Sequence, residues 1–289
     1  MLPGTAGGAG QTAFARRAVS PSESPTAIKR LGQNFLIDPN IVRKILAVAK
    51  LHGRDPVLEI GPGRGILTEA LCHVSSCVTA IELDPRLHAD LLERHANTPN
   101  LSLVLGNAMT HSLESLPIGT IVVANLPYYI STPLLFRLLD QRDRFPRLVL
   151  MLQDEVADRL IAKPGSRDYG VLSVLAQYVT EITKAFKVSA HCFRPRPEVD
   201  SAVVVLRMKQ TREFSPEEEP MFTRLVKAAF AHRRKTLVNS LRDEGYDGQL
   251  VLGALQTLAL APAIRAETLS VGQFVELSRR VTLPRQRAE

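Results

Sequence analysis

From Val122 to Pro133 the sequence reads VVANLPYYISTP, an apolar run that stops at Asn125 and is followed by Leu126, Pro127 and Tyr128. The residue before a proline is driven toward extended backbone, so Leu126 is expected to hold its carbonyl in one direction, while Pro127 offers no competing N–H. Asn125 adds a second oxygen and Tyr128 a flat face. Together they form a cradle for a planar group that carries an amine. Adenine fits, because its exocyclic amine is a poor nucleophile until two fixed acceptors draw its hydrogens toward the tetrahedral geometry. If the electrophile is a sulfonium methyl held in line, positioning and preorganised dipoles supply most of the acceleration and no strong base is required. Asn125 lies too far upstream of Pro133 to serve only as a helix cap. Tyr129 is read as a packing residue, since adjacent side chains diverge.

Three further places look able to hold a ligand. VLEIGPGRGILTEAL has the form strand, glycine turn, helix, in which Gly61, Gly63 and Gly65 let the backbone approach a ligand closely. A dinucleotide fingerprint would need glycine where Ile66 stands, and a plain tight turn would explain the glycines equally well. The next apolar run ends AIELDP, with Glu82 about twenty residues beyond the glycines, where an acid accepts hydrogen bonds from ribose hydroxyls. The third ends VLGNAM, where Asn107 and the backbone of Ala108 could read an adenine edge. There is no Walker lysine, and Arg64 is the only cation of the first loop.

These residues need elements to position them. Apolar runs at 56–60, 77–83, 101–105, 120–125, 147–152 and 201–208 read as strands, with helices between most of them. Asp38, Asp84 and Thr132 each precede a proline and are expected to cap the helices that follow. Continuous apolar strands separated by helices specify an α/β fold with a mostly parallel sheet covered on both faces, and its ligand beyond the carboxyl ends of the strands. The pattern changes at MKQTREFSPEEEP, residues 208–220. There Ser215 is expected to cap a helix opened by Pro216, and a small all-helical unit should follow. The expected division is a tail over 1–27, a catalytic unit over 28–208 and a helical unit over 209–289.

The chain has 289 residues, 45% of them hydrophobic, enough to bury a full core, and its net charge of +7 favours an acidic partner such as nucleic acid. Cys72, Cys77 and Cys192 form no C-x-x-C pair, which fits a reducing, cytoplasmic setting; the histidines lack metal-ligand spacing, so no metal is expected. The longest weakly polar stretch, Leu250 to Ile264, is too short to span a bilayer, and no membrane partner is expected. The first 27 residues, rich in small residues, read as a disordered tail, with a transit peptide as the other reading.

Taken together, GQNFL, EIGPGRG, IELD, NLPY, QDEVADRL, YGVLSVLAQ, FRPRPEVDSAVV and FAHRRKTLVNSL resemble the ribosomal RNA adenine dimethyltransferases, from about Ile28 to the last helices. That resemblance implies a Rossmann-like class I methyltransferase sheet with S-adenosylmethionine as cofactor. The substrate would be two adjacent adenosines near the 3′ end of small-subunit ribosomal RNA, met in a pre-assembled subunit by a monomeric enzyme. Asn34 and Leu36 would close over the cofactor, Gly61 and Gly63 would approach it, Glu82 and Leu83 would lie at the ribose, and Asn107 and Ala108 at the adenine. Asn125, the Leu126 carbonyl and Tyr128 would face the target base, with Phe193 closing the pocket. Family members usually carry aspartate at 107 and lysine at 154. Here the Asn107 oxygen is expected to accept from the cofactor's amino group in its place, and Asp154 removes a charge that could have met RNA.

Arg233, Arg234 and Lys235 form a basic run. A solvated helix surface is the plain reading, and phosphate contact becomes the better one beside a base-sized pocket. Rival readings are a large-subunit ribosomal RNA methyltransferase, a non-catalytic nucleic-acid-binding factor on the same fold, and a nucleotide-dependent dehydrogenase, which leaves Ile66 and NLPY unexplained.

Overall fold

The computed structural model describes residues 25–28, 32–232 and 234–281. In chain order a short strand β1 (Phe35–Leu36) is followed by α1 (Pro39–Ala49), β2 (Pro56–Ile60), α2 (Ile66–Val74), β3 (Cys77–Glu82), α3 (Pro85–Arg94) and β4 (Leu101–Leu105). Next come β5 (Ile121–Asn125), α4 (Ser131–Asp140), β6 (Arg147–Gln153), α5 (Asp154–Ile161), α6 (Val171–Val179), β7 (Thr180–Val188), β8 (Phe193–Arg194) and β9 (Ser201–Met208). The helices α7 (Glu219–Phe230), α8 (Leu237–Asp243), α9 (Gly248–Thr257) and α10 (Val271–Arg280) follow.

The main sheet has seven strands in the order β4-β3-β2-β5-β6-β9-β7. From β4 to β6 they run parallel, whereas β9 is antiparallel to both β6 and β7. The continuous apolar runs have a direct cause. Successive residues point to opposite faces, and both faces are buried: Leu58, Val122 and Leu150 belong to one core, while Val57, Val123 and Val149 belong to the other. Strand order reverses between β2 and β5, so the carboxyl ends of the central strands open into the crevice where such sheets bind ligands. β1 and β8 pair as a separate antiparallel ribbon.

Asp38 and Asp84 cap α1 and α3 as their positions predict, accepting from the N–H groups of Asn40 (2.8 Å) and Arg86 (3.0 Å). Thr132 does not cap. A 3-10 turn over Tyr128–Ile130 runs directly into α4, and the Ser131 hydroxyl instead donates to the Tyr128 carbonyl at 3.1 Å. α7 starts at Glu219 rather than Pro216, because residues 216–218 turn while the Glu218 carboxylate accepts from the Ser215 N–H at 2.9 Å. The strand β7, which carries Glu181, Lys184 and Lys187, has no counterpart among the apolar runs of the sequence.

α7 to α10 bury their own cluster around Phe222, Leu241 and Phe274. α6 joins it to the sheet, giving Leu172 and Ala176 to the sheet core and Val174 and Tyr178 to the helical one. Among the described residues no helix is long and apolar enough to cross a membrane.

Candidate active site

A cleft at the carboxyl edge of the sheet is lined by residues from all four ligand-capable strand ends, among them Gly61, Glu82, Asn107 and Asn125. After β2 the Gly61 N–H donates to the Ile81 carbonyl at 2.9 Å, which ties the turn to β3. Gly63 has a φ of +58°, and a Cβ there would lie 2.9 Å from the Phe35 ring, so only glycine lets the loop pack under that ring. Ile66, where the dinucleotide fingerprint would need glycine, is the first residue of α2.

Glu82 holds two loops at once. Its Oε2 accepts from the Gly63 N–H at 3.0 Å and its Oε1 from the Asp84 N–H at 2.8 Å. Burial raises its pKa, and those two N–H groups oppose the rise. Each carboxylate oxygen retains a lone pair. This is the capacity that a pair of ribose hydroxyls needs. Leu83, 41% exposed, lies beside it on the cleft wall.

At the end of β4 the Asn107 Oδ1 accepts from the Met109 N–H at 2.9 Å. That bond fixes the amide and occupies one of the two lone pairs of Oδ1, so one acceptor position remains for a cofactor amine. Arg137 of α4 braces this loop by donating to the Ala108 carbonyl and, at 2.6 Å, to that of His111. Ala108 is buried.

Residues 25–28 and 32–34 form a strap against these loops. Arg64 donates to the Pro25 carbonyl at 3.3 Å and Arg86 to that of Thr26 at 3.2 Å, while Gln33 accepts from the Ile28 N–H at 2.7 Å and donates to Asp84 at 3.1 Å. The Arg86 guanidinium holds the Asp84 carboxyl down at about 2. Asn34 turns its own amide toward the Gly32 carbonyl, at 3.2 Å.

The NLPY segment sits under this strap. Asn125 donates from Nδ2 to the Asn34 carbonyl at 3.2 Å, an orientation that commits its amide N–H side to the strap and leaves Oδ1 for another donor. The Leu126 N–H donates to the Met151 carbonyl of β6 at 3.2 Å, which fixes the peptide, and its side chain is buried in the core. Tyr128 is half-buried, with its hydroxyl 2.7 Å from Ser201 Oγ. Tyr129 is 53% exposed and lines the cleft against Gly32, contrary to the packing role read from the sequence. The tight 3-10 turn swings its ring toward the strap. Phe193 and Leu36 face one another in the β1–β8 ribbon and pack in the same buried core, and Phe193 does not line the cleft.

Beside this edge a buried carboxyl, Glu59, also lines the cleft, and its Oε2 makes no hydrogen bond among the described residues. Burial pushes it up to about 8, Thr68 offsets part of the rise, and Glu82 adds to it. Asp154 is paired with Lys184 (2.7 Å) and Lys187 (3.2 Å) of β7, so the strand missed in the sequence supplies cations beside the position where lysine was expected. In the basic run, Arg233 lies outside the described residues. Arg234 and Lys235 are exposed on the turn between α7 and α8, not on a helix, and Lys235 pairs with Asp243. Sequence reasoning missed Arg137, Gln33 and Ser201, whose partners lie 29, 51 and 73 residues away in the chain, beyond any local pattern.

The profile of the family described as Ribosomal RNA adenine dimethylase matches residues 26–282. Ribosomal RNA small subunit methyltransferase A of Moorella thermoacetica is 44% identical over 262 residues, covering 87% of this chain and 91% of that one. Its counterpart from Geobacter metallireducens is 43% identical over 264 residues, covering 89% and 96%. Among solved structures, a dimethyladenosine transferase from Plasmodium falciparum superposes with a TM-score of 0.76 at 28% identity, over 84% of this chain and 95% of that one. The 23S rRNA methyltransferase ErmE gives 0.68 at 27% identity, over 86% and 99%.

Proposed function

The chain belongs to the ribosomal RNA adenine dimethylase family and is a ribosomal RNA adenine dimethyltransferase; from that premise we propose how its residues carry the reaction and which adenosines it modifies. The targets are two adjacent adenosines near the 3′ end of small-subunit ribosomal RNA. The cofactor is S-adenosylmethionine, which when bound supplies a methyl group on a positively charged sulfur. What supports its fit to the cleft is that the Glu82 carboxylate, which lines the cleft and is tied to Gly63 and Asp84, keeps a lone pair on each oxygen. Leu83, Asn107 and Ala108 then flank the base of the cofactor, and Asn34 covers it.

The observation that carries the catalytic reading is the Asn125 amide. Its Nδ2 is held by the Asn34 carbonyl, which leaves Oδ1 free to accept, in a cleft that Tyr128 also lines. In this reading Oδ1 and the Leu126 carbonyl accept the two hydrogens of the target amine and orient its lone pair toward the methyl. Tyr128 stacks on the base, which has been unstacked from the RNA. The proton leaves to water after transfer. Preorganised acceptors of this kind act without reorganising during the reaction, which is why no general base is needed. The basic run Arg233, Arg234 and Lys235, between α7 and α8, holds RNA phosphates.

Transfer of labelled methyl groups to immature small subunits and, in parallel, to large-subunit RNA, followed by nucleoside mapping, tests the reading. Dimethyladenosine at two neighbouring positions is expected. Label appearing only in large-subunit RNA would overturn it in favour of the activity named for ErmE, the structural neighbour that motivates that second reading.

A further inference from the structure

Tyr128 is fixed at both ends. Its backbone opens the 3-10 turn that follows Pro127, and its hydroxyl lies 2.7 Å from the Oγ of Ser201, 73 residues further along the chain. Ser201 is the first residue of β9, opposite Gln153 at the end of β6 and Val188 at the end of β7, and it is fully buried. A buried hydroxyl must find a partner or cost the full price of its desolvation. The hydrogen bond Ser201 makes in this structure is to Tyr128.

We propose that Ser201 is a positioning residue for methyl transfer, setting the tilt of the Tyr128 ring against the target base through the bond between the two hydroxyls. The inference rests on the reading of Tyr128 as the stacking face. Without the anchor the ring would be free to turn about its side-chain bonds, because Tyr128 is only half-buried and lines the cleft. With it, the ring is held in the cleft that Asn125 also lines, and the direction of Asn125 is set by Asn34. Base and amine are thus oriented from two sides, one tied to the strap and the other to the antiparallel strand β9. Burial raises the pKa of the Tyr128 hydroxyl, Ser201 partly opposes the rise and Asp200 adds to it, so the hydroxyl keeps its proton and either oxygen can donate to the other.

Through Ser201 the antiparallel strand β9 takes part in the active site. β9 enters between β6 and β7, and its first residue meets the carboxyl edge of the parallel strands, where Asn125 and the cleft lie. A phenylalanine at 128 would offer the same stacking face but no handle. The tyrosine hydroxyl therefore serves orientation rather than chemistry.

The test is a double-mutant cycle with Ser201→Ala, Tyr128→Phe and the pair together, read as kcat on small subunits and as calorimetric affinity for S-adenosylmethionine. Each single change is expected to lower kcat about five- to tenfold, the order set by one lost hydrogen bond. Cofactor affinity should stay unchanged, and the double variant should be no slower than the slower single one. If Ser201 only fills the core, its replacement lowers the melting temperature and leaves kcat alone, or its effect multiplies with that of Tyr128→Phe; either result overturns the proposal. Should Ser201→Ala fail to fold, Tyr128→Phe decides alone, and wild-type turnover in it refutes the anchor. Tyr128→Ala separates the two levels of the argument. If it is inactive while Tyr128→Phe is normal, stacking stands and anchoring falls; if it is fully active, the stacking reading itself has failed.

Discussion

Replacing Glu82 by glutamine preserves the size of the side chain but cannot preserve its bonding. Both carboxylate oxygens already accept a backbone N–H, from Gly63 at 3.0 Å and from Asp84 at 2.8 Å. Whichever way the new amide turns, its NH2 faces one of those donors. An unmade bond at a buried N–H costs about 1–3 kcal/mol, while removing a charge from this buried position returns part of that sum, so the fold should lose little. Cofactor binding has no such compensation. The ribose hydroxyls would lose a charged acceptor, and hydrogen bonds to charged groups are worth roughly 1.5–3 kcal/mol, or about ten- to 150-fold in affinity. Calorimetric titration of Glu82→Gln with S-adenosylmethionine and, in parallel, S-adenosylhomocysteine measures this directly. Because the loss is placed at the ribose, both ligands should weaken by the same factor. Equal affinity in variant and parent would remove Glu82 from the site, and a loss confined to S-adenosylmethionine would show that the carboxylate acts on the sulfonium charge instead.

Asn125→Ala should lower single-turnover methyl transfer by about 100-fold or more, through the lost preorganised dipole. Cofactor affinity should fall no more than about fivefold, since the bond to the Asn34 carbonyl is a neutral one; near-normal turnover would refute the cradle. Replacing Arg233, Arg234 and Lys235 together by alanine should weaken small-subunit binding and make its salt dependence shallower by roughly 0.7–0.9 for each phosphate that is no longer neutralised. Because Lys235 is paired with Asp243, Lys235→Ala alone should change that slope least. Glu59 gives a pH signature. Folding raises it from 4.5 to about 8, so the folded protein keeps a proton that the unfolded chain releases, and this group's contribution to stability falls as the pH climbs from about 4.5 to about 8. Glu59→Gln should flatten that part of the stability profile and raise the melting temperature at pH 8; an unchanged profile would mean that the carboxyl is already ionised in the fold.

The central parallel strands were legible because burial on both faces leaves runs such as Val57-Leu58 and Ile121-Val122-Val123 with no polar interruption. β7 was not legible. It lies at the sheet edge, and Glu181, Lys184 and Lys187 break its apolar pattern. The cleft residues could be named from the strand ends, since a turn and its ligand-facing group are close in sequence. What could not be named were the groups that aim them. The Asn34 carbonyl is 91 residues from Asn125, and no periodicity links the two. Asn107 shows the same limit within two residues. The sequence supplies an amide oxygen, but only the backbone course after β4 shows that the Met109 N–H takes one of its lone pairs.

The insertion of β9 between β6 and β7 also fixes the order in which a growing chain can be completed. Once Gln153 has been made, all the parallel strands, the glycine turn, Glu82 and Asn125 are present. The neighbour of β6 on its open side, however, is not the next strand to be synthesised but the one after the β8 ribbon. β7 therefore emerges with nothing to pair with, since the strand that will lie on it follows it in the chain. Until about Met208 has been added, the edge of β6 stays unpaired and available to other chains, the kind of exposure that favours aggregation during synthesis. Truncation before Ser201 should yield an aggregation-prone polypeptide with its donor loops encoded and its aromatic wall unanchored.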